Sequence, residues 1–416
     1  MFKCLKKQSK KILIIILLVF LNFNIINFSY AVDDNDFDYV WIDEAVEEGK
    51  TIKEPEVLSR HAVIYDRASK TVIWGKNEKT ETPMASTTKI MTAIVMCEEL
   101  GEERMKETVE VCKEAAYTNG SSMGIKTGDK VTYHDLLYGL MLPSGNDAAV
   151  QIAISIAGSV ENFAELMNKK AKELGLEHTH FVTPHGLDRE GHYTTAEELA
   201  IITDCALSNP TIAKVISTKQ YTVTINGYPK NLNNSNELLG YLDGVTGVKT
   251  GFTNGAGRCL VTSVNRNGFE IITVVLGSDT KKIRTKDSIR LIEYAYKNYE
   301  LKNIEELIQE EYKDWCELNE KRIYVYKGVK TNPEIYMEEI QSKIYPVKEN
   351  TDIIIDSEVK TNYEAPLAKE SVVGKIILQI DGEAIEEIRI KTREEIKRKE
   401  IKEYFMQFME LFKQVI

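Results

Sequence analysis

Apolar and polar residues alternate at both ends of segment 57–300 and recur with a helical period in its middle. Near its start, HAVIYD and TVIWG are joined by the polar turn RASK, which predicts a β-hairpin. Helical patterns then extend to about residue 220, namely TPMASTTKIMTAIVM, HDLLYGLML, NDAAVQIAISIAG, VENFAELMNKKAKELG and TAEELAIITDCALS. Strands return in GRCLVTSV and FEIITVVLG, around an Asn267-Gly268 turn, before the helix KDSIRLIEYAYKNY. We therefore predict an α/β (α+β) domain with one antiparallel sheet, built from both ends of the segment and covered by helices.

The pattern changes after this segment. Residues 310–392 contain short alternating runs such as RIYVYKG, TDIIID and GKIILQIDG, which predict a small β-rich domain. Within the final segment, 393–416, apolar residues recur every three or four positions, at 401, 405, 408, 412 and 415. This spacing predicts an amphipathic helix, and its wide apolar face favours binding to a membrane surface. Docking of the helix on its own domain or on a partner is the alternative.

The first 31 residues have a different composition. Five lysines, at positions 3, 6, 7, 10 and 11, precede the apolar run ILIIILLVF, and SYA at 29–31 offers small residues for cleavage. This pattern predicts a secretory signal peptide, with an uncleaved transmembrane anchor as the alternative. In either case we expect an exported, extracytoplasmic protein, peripheral on the outer face of the cytoplasmic membrane or in the cell wall. Residues 32–56 are acidic and irregular, and we interpret them as a linker.

Composition narrows the possible partners. An apolar fraction of 43% and a charged fraction of 28% are typical of a folded protein. Residues 1–31 carry five lysines and no acidic residue, so without them the net charge falls from −11 to −16, which argues against nucleic acid as a partner. Five scattered cysteines remain without a CxxC motif, so neither a disulfide framework nor a zinc knuckle is indicated. We expect most of them to be small buried apolar residues.

Candidate chemistry begins with Ser86 and Lys89, at the start of a helix expected to run to about Leu100 with Gly101 as its stop. The i, i+3 spacing places both side chains on one helical face. The positive end of the helix and partial burial both disfavour the ammonium form of Lys89. A neutral amine beside a serine hydroxyl is an activated nucleophile for acyl transfer. Two further Ser-x-x-Lys pairs, at 278–281 and 357–360, lie in polar surroundings.

A second element is LMLPSGNDAA, in which Ser144 and Asn146 occupy a short loop between two helical segments. Such a loop can project a hydroxyl and an amide into a cleft, although a plain helix N-cap gives the same pattern.

A third element, Lys-Thr-Gly, occurs twice. The copy at 126–128 lies in a polar turn, whereas Lys249, Thr250 and Gly251 are flanked by glycines and precede the last strands. A strand edge with these residues can pair with an extended peptide and bind its terminal carboxylate. Only the second copy follows the other two motifs along the chain. With it, the first motif lies at a helix start, the second in a loop between helices and the third at a sheet edge.

This trio, in this order, closely resembles that of the serine-type D-alanyl-D-alanine carboxypeptidases, the low-molecular-mass penicillin-binding proteins of bacterial cell walls. The resemblance is carried by ASTTKIMTA, LLYGLMLPSGNDAA, THFVTPHGLDREGHYTTAEELA and DGVTGVKTGFTNGAG, strongly over residues 57–300 and more weakly beyond. It implies a DD-peptidase/β-lactamase-like fold that needs no cofactor and no metal. The implied reaction removes the terminal D-alanine from a peptidoglycan stem peptide ending in D-Ala-D-Ala, with β-lactam antibiotics as covalent inhibitors.

The resemblance also implies roles for the matched residues. Ser86 would be acylated by the penultimate D-alanine, and Lys89 would take the serine's proton. Ser144 would relay a proton to the leaving amine, and Asn146 would hold the substrate backbone.

At the substrate's end, Lys249 and Thr250, with Gly251 on the same strand edge, would bind the terminal carboxylate. Arg284 matches a family arginine that helps to bind this carboxylate. The backbone N–H groups of Ser86 and Phe252 would hold the oxyanion. Some relatives carry a histidine where Phe252 stands, a change that bears on side-chain pH effects more than on the reaction.

Several alternatives stay open. Four histidines, at positions 178, 180, 185 and 192, invite a zinc interpretation, but no acidic or cysteine partner follows at a convincing spacing. A class A β-lactamase would need a glutamate placed to activate water, and the middle motif is Ser-Gly-Asn rather than Ser-Asp-Asn. A transpeptidase and a catalytically inactive wall-binding protein are the remaining alternatives.

Overall fold

The protein is described by a computed structural model that covers residues 44–48, 54–341 and 343–415, with side chains to residue 410. The predicted signal peptide at 1–31 and most of the predicted linker at 32–56 lie outside the described residues. Within that linker, residues 44–48 form a helical turn rather than irregular chain, and Glu48 forms an ion pair of 2.6 Å with Arg290.

The strands are β1 His61–Asp66, β2 Thr71–Lys76, β3 Thr108–Glu110, β4 Lys130–Thr132, β5 Gln220–Ile225, β6 Tyr228–Asn233, β7 Val245–Thr253, β8 Gly257–Arg266, β9 Phe269–Ser278, β10 Tyr299–Asn303, β11 Tyr324–Tyr326, β12 Ile335–Met337, β13 Ile344–Lys348, β14 Ile353–Val359, β15 Asn362–Glu364, β16 Val372–Ile380 and β17 Glu383–Thr392. The α-helices are α1 Lys89–Arg104, α2 Lys113–Ala116, α3 Tyr133–Met141, α4 Asn146–Ala157, α5 Val160–Glu173, α6 Ala196–Ser208, α7 Pro210–Ile216, α8 Lys281–Asn298, α9 Ile304–Asn319 and α10 Ile401–Val415. Short 3₁₀ turns occupy Ala85–Thr88 and Glu320–Arg322.

The main sheet has five antiparallel strands in the order β2-β1-β9-β8-β7. Strand β1 pairs with β9, so both ends of the domain supply strands, and the predicted architecture is confirmed. The predicted hairpin turn between β8 and β9 is also present, because Asn267 and Gly268 both adopt positive φ angles, of 54° and 86°. The order leaves β7 at the edge of the sheet.

Helices cover this sheet. Val63, Val261 and Val274 are neighbours across β1, β8 and β9 and belong to a core that includes buried residues of α1 and α3–α7. Helix α8 packs along β8 and β9, where the Tyr296 hydroxyl donates to the carbonyls of Val264 and Phe269. The apolar patterns in the sequence therefore correspond to faces that are buried on the sheet.

Residues from about 304 onward form the predicted β-rich domain around an antiparallel sheet in the order β12-β17-β16-β14. Helix α9, which the sequence analysis did not predict, contributes Ile304, Ile308 and Trp315 to its core. Gly374 on β16 makes room for this helix, because a Cβ there would lie 2.4 Å from the Trp315 ring.

The terminal helix α10 begins at Ile401, later than the start of the predicted segment at 393. The residues before it form isolated bridges instead, which pair Leu367 with Ile396 and Gly328 with Arg398. Two positions of the predicted apolar stripe, 412 and 415, have side chains outside those described.

In the described part of the chain, no single helix has both the length and the apolar composition needed to cross a bilayer. Helices α6 and α7, bent by 107° at their junction, meet the criterion only as a pair and only by length and composition.

Candidate active site

Ser86 lies in the 3₁₀ turn just before α1, and Lys89 is the first residue of that helix. Its neighbour Ala85 has a φ angle of +49°, a left-handed conformation that costs a non-glycine residue of order 1 kcal/mol. The Lys89 Nζ atom lies 2.9 Å from Ser86 Oγ. Ser86 is partly exposed whereas Lys89 is fully buried, so the hydroxyl is accessible while the amine is shielded from water.

The other two neighbours of Lys89 Nζ are the Asn146 side-chain oxygen, at 2.7 Å, and the His185 carbonyl oxygen, at 2.8 Å. Both of these oxygens can only accept hydrogen bonds. A neutral amine has two N–H groups and one lone pair, so donation to these two acceptors leaves the lone pair for the Ser86 hydroxyl. The contacts therefore suit a proton acceptor aimed at the nucleophile.

Electrostatics favour the same protonation state. Burial lowers the pKa of Lys89 well below its ordinary value, and the positive charge of Lys249 lowers it further, while Asp147 acts in the opposite direction. The position of Lys89 in the sequence predicts partial burial, whereas the structure shows complete burial.

The second motif lies beside this pair. Ser144 has a left-handed φ angle of +64° and is buried, and its Oγ has no hydrogen-bond partner among the described residues. Asn146 opens α4 and is fixed at three points, because besides receiving the Lys89 amine it donates its backbone N–H to Ser121 and its side-chain amide to Asn119, each at 2.7 Å. Both ends of the Asn146 amide are thus engaged within the protein.

Asp147, next in the chain, fixes the loop that holds Asn146. Its carboxylate accepts the Ser122 hydroxyl at 2.6 Å and the backbone N–H groups of Met123 and Gly124 at 2.9 and 2.8 Å. A substitution at Asp147 would free this loop and, through it, Asn146 and Lys89.

The third motif lies on edge strand β7, next to Ser86. A Cβ at Gly251 would lie 3.1 Å from the backbone nitrogen of Ser86, so glycine permits this close approach. Lys249 is buried, with its Nζ donating to the Thr250 carbonyl at 3.1 Å, and the Thr250 hydroxyl lies 2.7 Å from that of Ser235. Burial, and then the charge of Arg284, lower the pKa of Lys249 to about 7. The other Lys-Thr-Gly copy, at 126–128, is exposed.

The last two predicted residues flank this strand. Arg284 lies in the first turn of α8, because the helix begins at Lys281, earlier than the pattern indicated, and its guanidinium forms an ion pair with Glu237. Phe252 follows Gly251 on β7, with its ring partly exposed and the Arg258 guanidinium 4.1 Å from the ring centre.

A family model described as D-alanyl-D-alanine carboxypeptidase matches residues 48–280. The chain belongs to this family. A second model, described as the C-terminal domain of penicillin-binding protein 5, matches residues 317–398, which contain most of the β-rich domain of this carboxypeptidase family member.

Individual relatives agree with the match. The chain is 33% identical over 358 residues to D-alanyl-D-alanine carboxypeptidase DacF of Bacillus subtilis (strain 168), covering 85% of this chain and 90% of the relative. Penicillin binding protein 5 from Haemophilus influenzae superposes with a TM-score of 0.68 at 28% identity, covering 83% of this chain and 100% of that one. The Streptomyces K15 DD-transpeptidase superposes with a TM-score of 0.56 at 32% identity, covering 59% and 99%. The resemblance seen in the sequence is confirmed.

Two of the histidines considered for zinc, His185 and His192, belong to a loop that packs on the 3₁₀ turn containing Ser86. His192 Nδ1 accepts the Val182 N–H at 2.9 Å, so its proton is on Nε2, which lies 2.8 Å from the Thr88 hydroxyl. Thr88 in turn donates to the Ala85 carbonyl at 2.8 Å. Burial, and then the charge of His180, lower the pKa of His192 to about 4, so the ring is neutral and holds the turn in place through these hydrogen bonds.

The zinc alternative has no support in the described residues. Within residues 44–48, 54–341 and 343–415, no group of three His, Cys, Asp or Glu side chains could hold a metal ion.

The same loop supplies the His185 carbonyl to Lys89, and Gly186 follows directly. A Cβ at Gly186 would lie 1.9 Å from the Ala85 carbonyl oxygen, so this position admits only glycine. Neither residue is predicted from the sequence as part of the active site. Their contributions come from the backbone, which leaves no chemical signature in the side chains.

Proposed function

We propose that this chain is a serine-type D-alanyl-D-alanine carboxypeptidase that removes the terminal D-alanine from peptidoglycan stem pentapeptides through an acyl-enzyme on Ser86. The same serine is acylated by penicillin. The observation that carries this proposal is the buried Lys89 amine, 2.9 Å from Ser86 Oγ and with two obligate acceptors for its hydrogens. A lysine in this setting is a base for the serine.

Acylation follows from these contacts. The Lys89 lone pair takes the Ser86 proton while Oγ attacks the carbonyl carbon of the penultimate D-alanine. The backbone N–H groups of Ser86 and Phe252 stabilise the oxyanion. Ser144, whose hydroxyl is buried without a partner among the described residues, relays a proton to the departing amine as the C–N bond breaks.

Substrate binding uses the edge of β7. The stem peptide adds to this edge as an extended strand, and its carboxylate meets Lys249 and the Thr250 hydroxyl beside Gly251. Asn146 fixes Lys89 and, through it, the nucleophile, while Arg284 adds positive charge at this end of the site. A bound carboxylate raises the protonated fraction of Lys249, whose pKa in the free enzyme is about 7.

Deacylation needs an acceptor for the acyl group. Water yields a tetrapeptide, whereas an amine yields a cross-linked peptide, which is the alternative suggested by the relative that is named a DD-transpeptidase. Mass spectrometry of the products from a pentapeptide ending in D-Ala-D-Ala separates the two. We expect a tetrapeptide plus free alanine, and an amine adduct as the main product would favour transpeptidation.

Labelling with a fluorescent penicillin tests the nucleophile. We expect Ser86→Ala to abolish the label and Ser357→Ala, in the Ser-x-x-Lys pair at 357–360 of the β-rich domain, to leave it unchanged. Label retained by Ser86→Ala would contradict the proposal. We also expect the penicilloyl-enzyme to persist, and steady turnover of a chromogenic cephalosporin would favour the β-lactamase alternative.

Export and membrane attachment are part of the proposal. Helix α10 exposes Ile401, Phe405 and Met406, and basic residues at 397–399 precede it, a combination that suits an anionic membrane surface. We expect the full chain to sediment with vesicles that contain anionic lipid, and Phe405→Glu to weaken this without changing penicillin labelling. Equal sedimentation of both proteins would contradict the membrane role.

A further inference from the structure

The loop at 234–239 lies against the Lys-Thr-Gly strand. Its first contact is the exposed Ser235 hydroxyl, 2.7 Å from that of Thr250. The next two residues are turned inward, since Asn236 is 3% exposed and the side chain of Glu237 is 9% exposed. A carboxylate is therefore enclosed two residues from Ser235, whose hydroxyl contacts the strand that would bind a substrate carboxylate.

Glu237 is bound through one oxygen only. Its Oε1 accepts from the Arg284 guanidinium and from the Thr285 hydroxyl, the latter at 2.6 Å. Its Oε2 has no partner in the part of the chain that the structure describes, and neither does Arg284 Nε. Burial raises the pKa of Glu237, but the charge of Arg284, the Thr285 hydrogen bond, its own backbone N–H and the charge of Lys281 together outweigh burial, so the net shift is downward and the group is a carboxylate.

The ion pair of Glu237 with Arg284 reduces the positive charge available to an incoming substrate. Lys89 is neutral when it acts as a base, and Lys249 has a pKa of about 7. Arg284, a permanently charged group at this end of the site, already faces Glu237. A peptide carboxylate must compete for the guanidinium with a carboxylate of the protein, and the single-oxygen contact leaves that guanidinium with bonding capacity to spare.

We propose that Glu237 is a positioning residue that occupies Arg284 in the free enzyme and thereby weakens the preference for substrates with a free terminal carboxylate. This inference rests on the proposed carboxypeptidase function. When a binding site is built to bind one charged or hydrogen-bonding group of its substrate, kcat/KM for an analogue that lacks this group is lower by about 10⁴-fold. With Glu237 present, we expect an N-acylated peptide ending in D-Ala-D-Ala to be preferred over its C-terminal carboxamide by less than about 100-fold.

The experiment compares kcat/KM for these two peptides in the wild-type enzyme, Glu237→Gln, Arg284→Gln and the double variant. Asp243→Asn is the matched control, because it removes one negative charge from a side chain that is 93% exposed and forms its ion pair with Arg266 rather than with Arg284. We expect Glu237→Gln to raise the carboxylate-to-carboxamide ratio about tenfold, and Asp243→Asn to leave it unchanged. Arg284→Gln should lower the ratio more in the Glu237→Gln background than in the wild type.

Other outcomes overturn the inference. An equal loss on both peptides would make Glu237 structural, and an unchanged or lowered ratio in Glu237→Gln would mean that it does not compete for Arg284. If Glu237→Gln does not fold, the wild-type ratio decides, because a preference far above 100-fold contradicts the inference. Failure of the wild-type enzyme to release either D-alanine from the carboxylate peptide or D-alaninamide from the carboxamide would instead reject the proposed function.

Discussion

Lys89 and Lys249 in the catalytic domain are buried and contact hydroxyl, amide and carbonyl oxygens, whereas Lys330 and Lys375 in the β-rich domain lie at the surface beside carboxylates. The pKa shifts have opposite directions. Burial lowers the pKa of both catalytic-domain lysines, while the hydrogen bonds that Lys330 and Lys375 donate to Glu394 and Glu387 raise the pKa of each of these surface lysines.

The difference shows what each domain does with its charges. A buried lysine without a carboxylate directly bonded to it destabilises the fold but yields a base at neutral pH. A surface lysine beside glutamates keeps its proton, stays hydrated and contributes little to stability. The following substitutions test this contrast.

The largest effect is expected for Lys89→Met. Methionine fills most of the volume of the side chain but cannot accept the Ser86 proton, so we expect the rate of penicillin acylation to fall by about 10³- to 10⁴-fold. Removing the buried amine relieves its desolvation cost, but methionine also leaves the Asn146 side-chain oxygen and the His185 carbonyl without a donor, so we expect the unfolding temperature to change little. Stopped-flow acylation and thermal unfolding measure the two quantities. A loss below tenfold would mean that another group is the base.

The next largest effect concerns two glycines with nearly the same backbone conformation, Gly186 at φ +84° and Gly382 at φ +81°. A methyl group at Gly186 would collide with the Ala85 carbonyl, whereas Gly382, in the β-rich domain, has open space. We expect Gly186→Ala to displace the nucleophile turn and slow acylation about 100-fold. Gly382→Ala should lower stability by about 1 kcal/mol through φ strain alone, with normal acylation. Similar acylation rates in the two variants would remove Gly186 from the site.

A smaller effect is expected from pH. Lys249 has a folded-state pKa of about 7, against 10.5 in an unfolded chain. Between these values the unfolded state binds more protons, so this residue's contribution makes stability rise with pH; the penalty is complete below about pH 7 and disappears above about 10.5. Lys249→Met should therefore be more stable than the wild type at pH 7, with the gap closing toward pH 10.

The protonation state of Lys249 also affects how the site binds the carboxylate of a substrate or of penicillin. As Lys249 loses its proton, penicillin acylation should fall about tenfold between pH 6 and 9, and Lys249→Arg should remove this slope. A wild-type rate that is flat or rises over this range would contradict a role for the Lys249 charge.

Local spacing explains which parts of the site could be predicted. Ser86 and Lys89 are one helical turn apart, and Lys249, Thr250 and Gly251 are consecutive, so their mutual placement follows from backbone geometry. The contacts of Asn119, His185 and Glu237 could not be predicted in this way. They join residues 27 to 96 positions apart, and two of the three act through backbone carbonyls.

Helix α9 is a different case, because its signal was present. Ile304, Ile308, Trp315 and Asn319 are all buried and lie on one helical stripe. The stripe runs through a strongly acidic segment at a domain boundary, where alternation in the following strands dominated the pattern. Its partner, Gly374, is 59 residues beyond Trp315, and that packing is visible only in the fold.

The smallest effect is expected for Lys375→Met. Lys375 lies on β16 between Glu387, at 3.1 Å, and Glu358, at 3.5 Å, on the adjacent strands; its own side chain is 29% exposed, and those of the two glutamates are 46% and 64% exposed. Attraction in this setting is screened by water and salt, so we expect penicillin acylation to be unchanged and the unfolding midpoint to shift by at most about 3 °C, less at high salt. The double variant with Glu387→Gln should show only a small coupling. A large loss of stability or of acylation here would show that the β-rich domain uses its lysines as the catalytic domain does, and the contrast between the two domains would not hold.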